Sequence, residues 1–418
     1  DKNYDQLVKI LANSFEADVV FLMNFIGAGT EGNDFTPITP YEELSDRRKF
    51  PILEKVCCAL DKPGYRNRRE RVISNRQFRL STLHAEVMAR LKLGKPAGQH
   101  HVVMGIGDFT VWERAVDEFH KRSAWVVCID PCVDERLVGK FEHGKWLREI
   151  IGFGTGVGAH GEHNYTISTE FFHLADLRTK IALQVGELLG PWDKTNNDLI
   201  AKSVLEESRR VSGLSLVKAT GASEYIRDYV AYALIRKLIP QESDVVCDQI
   251  VSLDAFRHWF DDAPSAKRPD LLHLRARIVD GRIHLTAHLV ECKLALQNQA
   301  HLDNAHEQLD NGLRHLIACF RPRTQESDRK RQKPDQRYWW LQLHRLIASK
   351  SQVKQQDQPK TIAALERLTE GYYSICWQAT AATFWCDSND SECTVQGSWD
   401  FEFEGQTLRI ENVATGRN

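Results

Sequence analysis

Residues 268 to 293 read Arg268-Pro-Asp-Leu-Leu-His-Leu-Arg-Ala-Arg-Ile-Val-Asp280-Gly281-Arg-Ile-His-Leu-Thr-Ala-His-Leu-Val-Glu-Cys-Lys293. Two alternating runs flank Asp280-Gly281, the dipeptide favoured by a two-residue type I′ turn because both central positions need φ > 0. The stretch therefore reads as a β-hairpin whose turn fixes the register. Val279 faces Arg282, and counting outward brings Asp270 opposite Glu291. Side-chain alternation agrees with that pairing. One face carries Leu272, Leu274, Ala276, Ile278, Ile283, Leu285, Ala287 and Leu289, and the other carries His273, Arg275, Arg277, Arg282, His284, Thr286 and His288.

At the end of the apolar face far from the turn sit Asp270, Glu291 and Lys293. Opposed residues there have Cβ atoms roughly 5 Å apart, so two carboxylates repel unless one is protonated or a cation lies between them. A hard divalent metal is the usual cation. The plainer reading makes Asp270 a strand-start cap and Glu291 with Lys293 an edge ion pair, worth about 0–1 kcal/mol if exposed. The apolar surroundings argue for burial instead, where unpaired carboxylates are costly.

From Ser212 onward the elements follow in a definite order. A helix from Ser223 to Ile239 ends at Pro240, a strand covers Val245 to Leu253, and a short helical piece runs through Trp259. After the hairpin comes a long helix, about Gln297 to Phe320, with Leu302, Ala305, Leu309, Leu313, Leu316 and Ile317 as its buried stripe. A basic and aromatic insertion, about 321–350, precedes a helix from Thr361 to Leu368 and two β-like runs, Tyr373 to Phe384 and Ser398 to Val413. With Pro269-Asp270 opening the second strand and Glu291-Cys292-Lys293 on the third, this order resembles the restriction-endonuclease-like PD-(D/E)xK nuclease superfamily over about Gly213 to Phe384.

The resemblance implies an α/β fold with a helix, mixed sheet and helix as its core, and a Mg²⁺- or Mn²⁺-dependent deoxyribonuclease. It implies that Asp270, Glu291 and the backbone carbonyl of Cys292 ligate the metal, and that Lys293 positions the attacking water. Glu224, in the first turn of the preceding helix, is the candidate for a glutamate that many members add; helix-start electrostatics is its plainer reading. Gln308 matches a glutamine that some branches place on the helix after the E-x-K strand. A second Pro-Asp, Pro334-Asp335, has no E-x-K at hairpin distance and reads as chance.

Two regions suit nucleic-acid contact. One is the polar hairpin face, with Arg275, Arg277, Arg282, His284 and His288. The other is the connector Arg321 to Arg337, with seven basic and three acidic residues, in which Arg329, Lys330, Arg331, Lys333 and Arg337 stand beside Trp339 and Trp340. The bland reading of that charge run is a solvated loop.

Residues 1–211 read as an N-terminal α/β domain of unassigned role, and 212–418 as the nuclease domain. The spacing predicts helices over Tyr4 to Phe15, Leu53 to Leu60, Leu80 to Leu93, Phe171 to Leu189 and within Trp192 to Val211. His101-Val-Val-Met-Gly, a helix from Val111 to His120, and Trp125 to Pro131 form the pattern of a βαβ unit. Gly156, Gly158 and Gly161 match GxGxxG, yet Tyr165-Thr-Ile-Ser-Thr after them is β-prone, so a glycine-rich loop or bulge is the better reading. Near them, His160, Glu162 and His163 have ligand chemistry but read more simply as loop residues.

A chain of 418 residues with 42% hydrophobic content and net charge −2 builds ordinary cores and announces no basic nucleic-acid-binding surface overall. It contains no apolar run near the roughly 18 residues of a membrane span, and its ten cysteines form no CxxC pair, so reduced thiols, no structural zinc and a cytoplasmic location are expected. More loosely, the chain is similar to nuclease-bearing regions of large ATP-driven bacterial defence proteins, such as those of phosphorothioation-dependent DNA restriction. That similarity implies DNA as substrate and an ATPase or helicase as partner or fused motor, since no GxxxxGK[ST] occurs here. The first residue, Asp1, fits a module of a larger protein, and double-strand cleavage by one active site implies a homodimer. Two other readings stand beside the enzyme: a catalytically degenerate nucleic-acid-binding or regulatory module, and an N-terminal nucleotide sensor controlling the nuclease.

Overall fold

The computed structural model describes residues 17–23, 36–38, 52–59, 65–73, 101–108, 113–130, 133, 140–142, 145–157, 163–170, 178–183, 185–186, 194–208, 226–239, 242, 245–260, 268–323, 336–350, 357–388 and 392–416. The chain is mixed α/β. Its first part contributes β1 (Ala17–Met23), β2 (Thr36–Ile38), β3 (Ile52–Ala59), β4 (Tyr65–Ile73), β5 (His101–Asp108), α1 (Glu113–Arg122), β6 (Ser123–Asp130), β7 (Lys140–Glu142), β8 (Lys145–Val157), β9 (His163–Glu170) and α2 (Lys194–Ser208). The strands form an antiparallel sheet in the order β2-β5-β4-β3 and a second sheet in the order β1-β6-β9-β8-β7, in which only β1 and β6 run parallel.

Two expectations are corrected here. Leu53 to Leu60 is not a helix: Ile52–Ala59 is strand β3, paired antiparallel with β4, so pairing overrides the helical spacing. The strands on either side of α1 do not make a βαβ unit, because β5 and β6 belong to different sheets and the parallel partner of β6 is β1. The glycine cluster accords at its start with the bulge reading: Gly152, Gly154 and Gly156 lie within β8, whose register against β9 shifts at two places. Those shifts are the β-bulges that interior strand glycines favour. The readings at Tyr4 to Phe15, Leu80 to Leu93, Gly158, His160, Gly161 and Glu162 lie outside the described residues.

The second part contributes α3 (Ile226–Leu238), β10 (Cys247–Ser252), a 3₁₀ segment (Leu253–Phe260), β11 (Leu271–Val279), β12 (Arg282–Ala295), α4 (Gln299–Cys319), α5 (Gln336–Lys350), α6 (Gln358–Thr369), β13 (Tyr373–Trp385), β14 (Thr394–Phe403) and β15 (Gln406–Thr415). Six strands form one mixed sheet, β10-β11-β12-β13-β15-β14. β10, β11 and β12 are an antiparallel meander, β13 is parallel to β12 and to β15, and β14 closes an antiparallel hairpin on β15. The expected single run from Ser398 to Val413 is thus two strands, turned at Glu404 and Gly405, both at positive φ (50° and 77°).

The β11/β12 register is the one the Asp-Gly turn dictates, with Val279 opposite Arg282 and Leu271 opposite Val290. Asp280 and Gly281 adopt φ of 50° and 70°. Helices cover both faces. On what we call the back, Ala231, Tyr232 and Ile235 of α3 bury against Ile250, Leu271, Val290, Cys292, Ala382 and Phe384. On the front, α4, α5 and α6 bury against Leu272, Leu274, Ala276, Ile283, Leu285, Ala287 and Leu289. A parallel β12/β13 pair needs a long crossover, and α4 to α6 supply it. α3 also packs through Val230 and Ala233 on Ile167, Val185, Ala201 and Val204 of the first part, so a shared apolar cluster spans the expected boundary near residue 211. No helix among the described residues is long and apolar enough to cross a membrane.

Candidate active site at the end of the central hairpin

Past the last paired residues of β11 and β12, the hairpin carries its charges on the front face. The backbone N–H of Leu253 donates to the Asp270 carbonyl (2.8 Å), which anchors Asp270 to the end of β10. The Asp270 N–H donates to Glu291 Oε2 (3.1 Å), and the Cys292 N–H donates to Asp270 Oδ2 (2.9 Å). Lys293 Nζ donates to Glu291 Oε1 (2.5 Å) and to Gln308 Oε1 (2.7 Å). Gln308 Nε2 in turn donates to the Arg268 carbonyl (3.0 Å), two residues before Asp270. Asp270, Glu291, Lys293, Gln308 and Arg268 therefore form a closed circuit with α4 as its lid.

Glu291 is the buried member, with 1% of its surface exposed. Burial first, and then the neighbouring Asp270 carboxylate, push its pKa well above the ordinary carboxylate value, and Lys293 only partly opposes them. Two carboxylates held together with one ammonium leave a surplus of negative charge in a place that penalises it. A cation offsets that surplus. The donors facing it are hard oxygens, the Asp270 and Glu291 carboxylates, which suits Mg²⁺. A residue's N–H and C=O leave a strand on the same side, so the Cys292 carbonyl shares the edge on which its N–H meets Asp270. Among the described residues no group of three His, Cys, Asp or Glu side chains stands at metal-binding distance, so these residues offer a carboxylate pair with a backbone oxygen. Glu224 lies outside the described residues.

The structure brings together Asp270, Glu291, Cys292, Lys293 and Gln308, and leaves Arg275, Arg277 and Arg282 elsewhere. Gln308, matched by resemblance on the helix after the E-x-K strand and grouped with the nucleic-acid contacts, spans Lys293 and the strand that carries Asp270 with its amide. Arg275, Arg277 and Arg282 are on the back of the sheet. Arg277 is seven residues up the strand from Asp270, about 23 Å at the usual rise. Trp339 and Trp340 are 8% and 4% exposed inside the front core, so neither offers a face for stacking bases. Helical packing of α5 against the sheet took them inward. Arg329, Lys330, Arg331 and Lys333 lie outside the described residues.

Two supports escaped the sequence reading. Gly312 of α4 faces Pro269, and a Cβ at that position would overlap the proline ring. A lone glycine inside a strongly helical run was the available signal. Arg268 pairs with Asp254 of the 3₁₀ segment, joining both sides of the approach to Asp270. That ion pair has no local pattern to announce it. No family model matches the chain, and no match emerges among curated proteins or solved structures.

Proposed function

We propose that the chain is a metal-dependent endonuclease of the PD-(D/E)xK type that hydrolyses phosphodiester bonds of DNA. The observation that carries the reading is the buried Asp270/Glu291 pair, with Lys293 on the same face of a registered hairpin. The order of α3, a three-strand meander, α4 and a parallel strand supports it. Bound there, Mg²⁺ or Mn²⁺ would supply a Lewis acid for the phosphoryl oxygen and a more acidic water.

The chain's own residues have distinct tasks in this reading. Asp270 and Glu291, with the Cys292 carbonyl, hold the cation. Lys293 presents its ammonium to the attacking water and to the charge that gathers on the phosphate. Gln308 keeps that ammonium aimed, because its amide is fixed at the other end by the Arg268 carbonyl. Residues 1–418 contain no GxxxxGK[ST], so a motor for an ATP-driven defence machine comes from outside them in this reading. The test is plasmid cleavage in Mg²⁺ and in EDTA by the full chain and by Asp270→Ala and Lys293→Ala. Cleavage that needs Mg²⁺ and is lost in both variants is the expected result; cleavage unchanged in either variant overturns the assignment.

A further inference from the structure

On the back of the sheet, beyond the part that α3 covers, β11, β12 and β13 present an exposed polar surface of Arg277, Arg282, His284, Ser374 and Gln378. Arg275 and Arg277 are two residues apart on one strand and so share this face. Both donate to the same carboxylate, that of Glu242, on the connection between α3 and β10. The backbone N–H of Glu242 donates to Asp248 Oδ2 (3.4 Å), and the other Asp248 oxygen pairs with His273 Nε2 (2.7 Å). A carboxylate thus bridges two guanidiniums, held in place by a partner it does not share with them.

The arrangement is an anion site in use but not saturated. Two guanidiniums share the one Glu242 carboxylate, while Asp248, opposite Arg275 on β10, is engaged by the His273 ring. Arg275, whose side chain is 16% exposed, keeps its Nε buried with no acceptor among the described residues, and its Nη2 reaches Gln378 Oε1 only at 3.5 Å. A carboxylate has two oxygens to give, whereas a phosphate has three or four, and planar guanidiniums engage phosphate through pairs of N–H groups. Glu242 is also a single side chain on a connecting segment, so an incoming anion displaces it without disturbing the ladder beneath.

We infer that Arg275 and Arg277 form a phosphate-binding site which Glu242 fills until a phosphate-bearing ligand displaces it. The ligand is either a backbone phosphate of a nucleic acid or a free phosphate compound, and the chemistry is shared. This inference does not rest on the nuclease reading, because the site is on the opposite face of the sheet and its binding is measured without metal. The experiment uses the full chain in EDTA, with inorganic phosphate followed by calorimetry and a fluorescein-labelled oligonucleotide followed by anisotropy. Glu242→Gln keeps the shape and removes the competing charge, so phosphate affinity rises about tenfold, the size of one charge-assisted contact released. The double variant Arg275→Gln/Arg277→Gln loses binding.

Arg277→Gln alone, at a position half exposed, weakens binding with the melting temperature retained and covers the case in which Glu242→Gln does not fold. Oligonucleotide that competes with phosphate identifies a backbone contact, and phosphate that binds without such competition identifies a small phosphate compound; either supports the site. Equal phosphate affinity in wild type and folded Glu242→Gln overturns it, as does undiminished binding by folded Arg277→Gln or by the double variant.

Discussion

The front and back of the six-stranded sheet are built by the same hairpin and carry opposite electrostatic problems. On the front, charge sits only at the strand ends, where Asp270 and Glu291 outnumber Lys293 under the lid of α4. Burial and Asp270 raise the Glu291 pKa, so the site lacks positive charge. On the back, charge runs along the strands. Burial works against the Asp248 carboxylate there too, but the His273 ring, the Glu242 N–H and Arg236 together outweigh it and hold its pKa below the ordinary value. Arg275 and Arg277 are left to share the one Glu242 carboxylate. One register, read at alternate residues, thus yields a site short of a cation and a surface short of an anion.

The largest expected effect breaks the front alone. Asp270→Ala and Lys293→Ala lower cleavage by about a thousandfold or more, the order that several kcal/mol of lost transition-state stabilisation produces. Arg275→Gln, on the back, leaves the chemical step within a few fold when substrate is saturating. Single-turnover cleavage separates the outcomes, and an equal loss in all three variants would mean that the two faces are not independent.

Acid acts on the back. The His288 ring donates to or accepts from Thr380 Oγ1 at 2.9 Å, and burial, followed by His273 and Arg275, lowers its pKa from 6.5 to about 4. The unfolded chain therefore binds the proton first as pH falls. Stability contributed by neutral His288 is fully present above pH 6.5 and is lost as pH drops toward about 4, on the order of 3 kcal/mol. Urea melts at pH 7 and pH 4.5 check it. His288→Gln flattens that pH dependence, and an unchanged slope in this variant would remove His288 as its cause.

Metal is expected to act on the front. A ligand present at about a hundred times its Kd stabilises the native state by about 2.7 kcal/mol. Mn²⁺ is expected to stabilise the wild type and Arg275→Gln by that order, seen as a raised melting temperature, and to leave Asp270→Ala unmoved. Equal stabilisation of Asp270→Ala would place the ion somewhere other than the carboxylate pair.

How much of this the sequence reveals depends on the range of the contact. The hairpin was legible in full, because Asp280-Gly281 sets a turn and strict alternation on both strands leaves one register. The same locality gave Asp270, Glu291 and Lys293 their shared face. Legibility stops where partners come from afar. Arg275 and Arg277 read as a polar face suited to nucleic-acid contact, and only folding brings Glu242 onto them. Gln308 was off the apolar stripe of its helix, which told of a polar role but not of Lys293 as its partner. Ile52–Ala59 has apolar spacing that fits a helix turn as well as a strand, and pairing with β4 decides it. At Glu404-Gly405 the turn chemistry lacked the Asn or Asp that marks a tight hairpin, so one run was read where two strands exist.

The smallest effect sharpens the comparison most, because it asks how the front is held. In an exposed helix, Gly→Ala gains roughly 0.5–1 kcal/mol from backbone entropy. Gly312 is buried in α4 against Pro269, and its added methyl would overlap a ring that cannot swing aside. Overpacking of this kind costs about 1–3 kcal/mol, so the net change in Gly312→Ala is a modest loss of stability rather than a gain. The strain falls on Pro269, one residue from Asp270, and shifts a carboxylate whose place is set by the Cys292 N–H. Cleavage should therefore fall and the Mn²⁺ midpoint rise by more than the small stability loss accounts for. Removing the ring in Gly312→Ala/Pro269→Ala relieves the overlap and restores part of both, a coupling that a double-mutant cycle measures directly. If Gly312→Ala is more stable than wild type and cuts equally well, the front site is held by its hydrogen bonds alone and the seating of Pro269 on α4 contributes nothing to it.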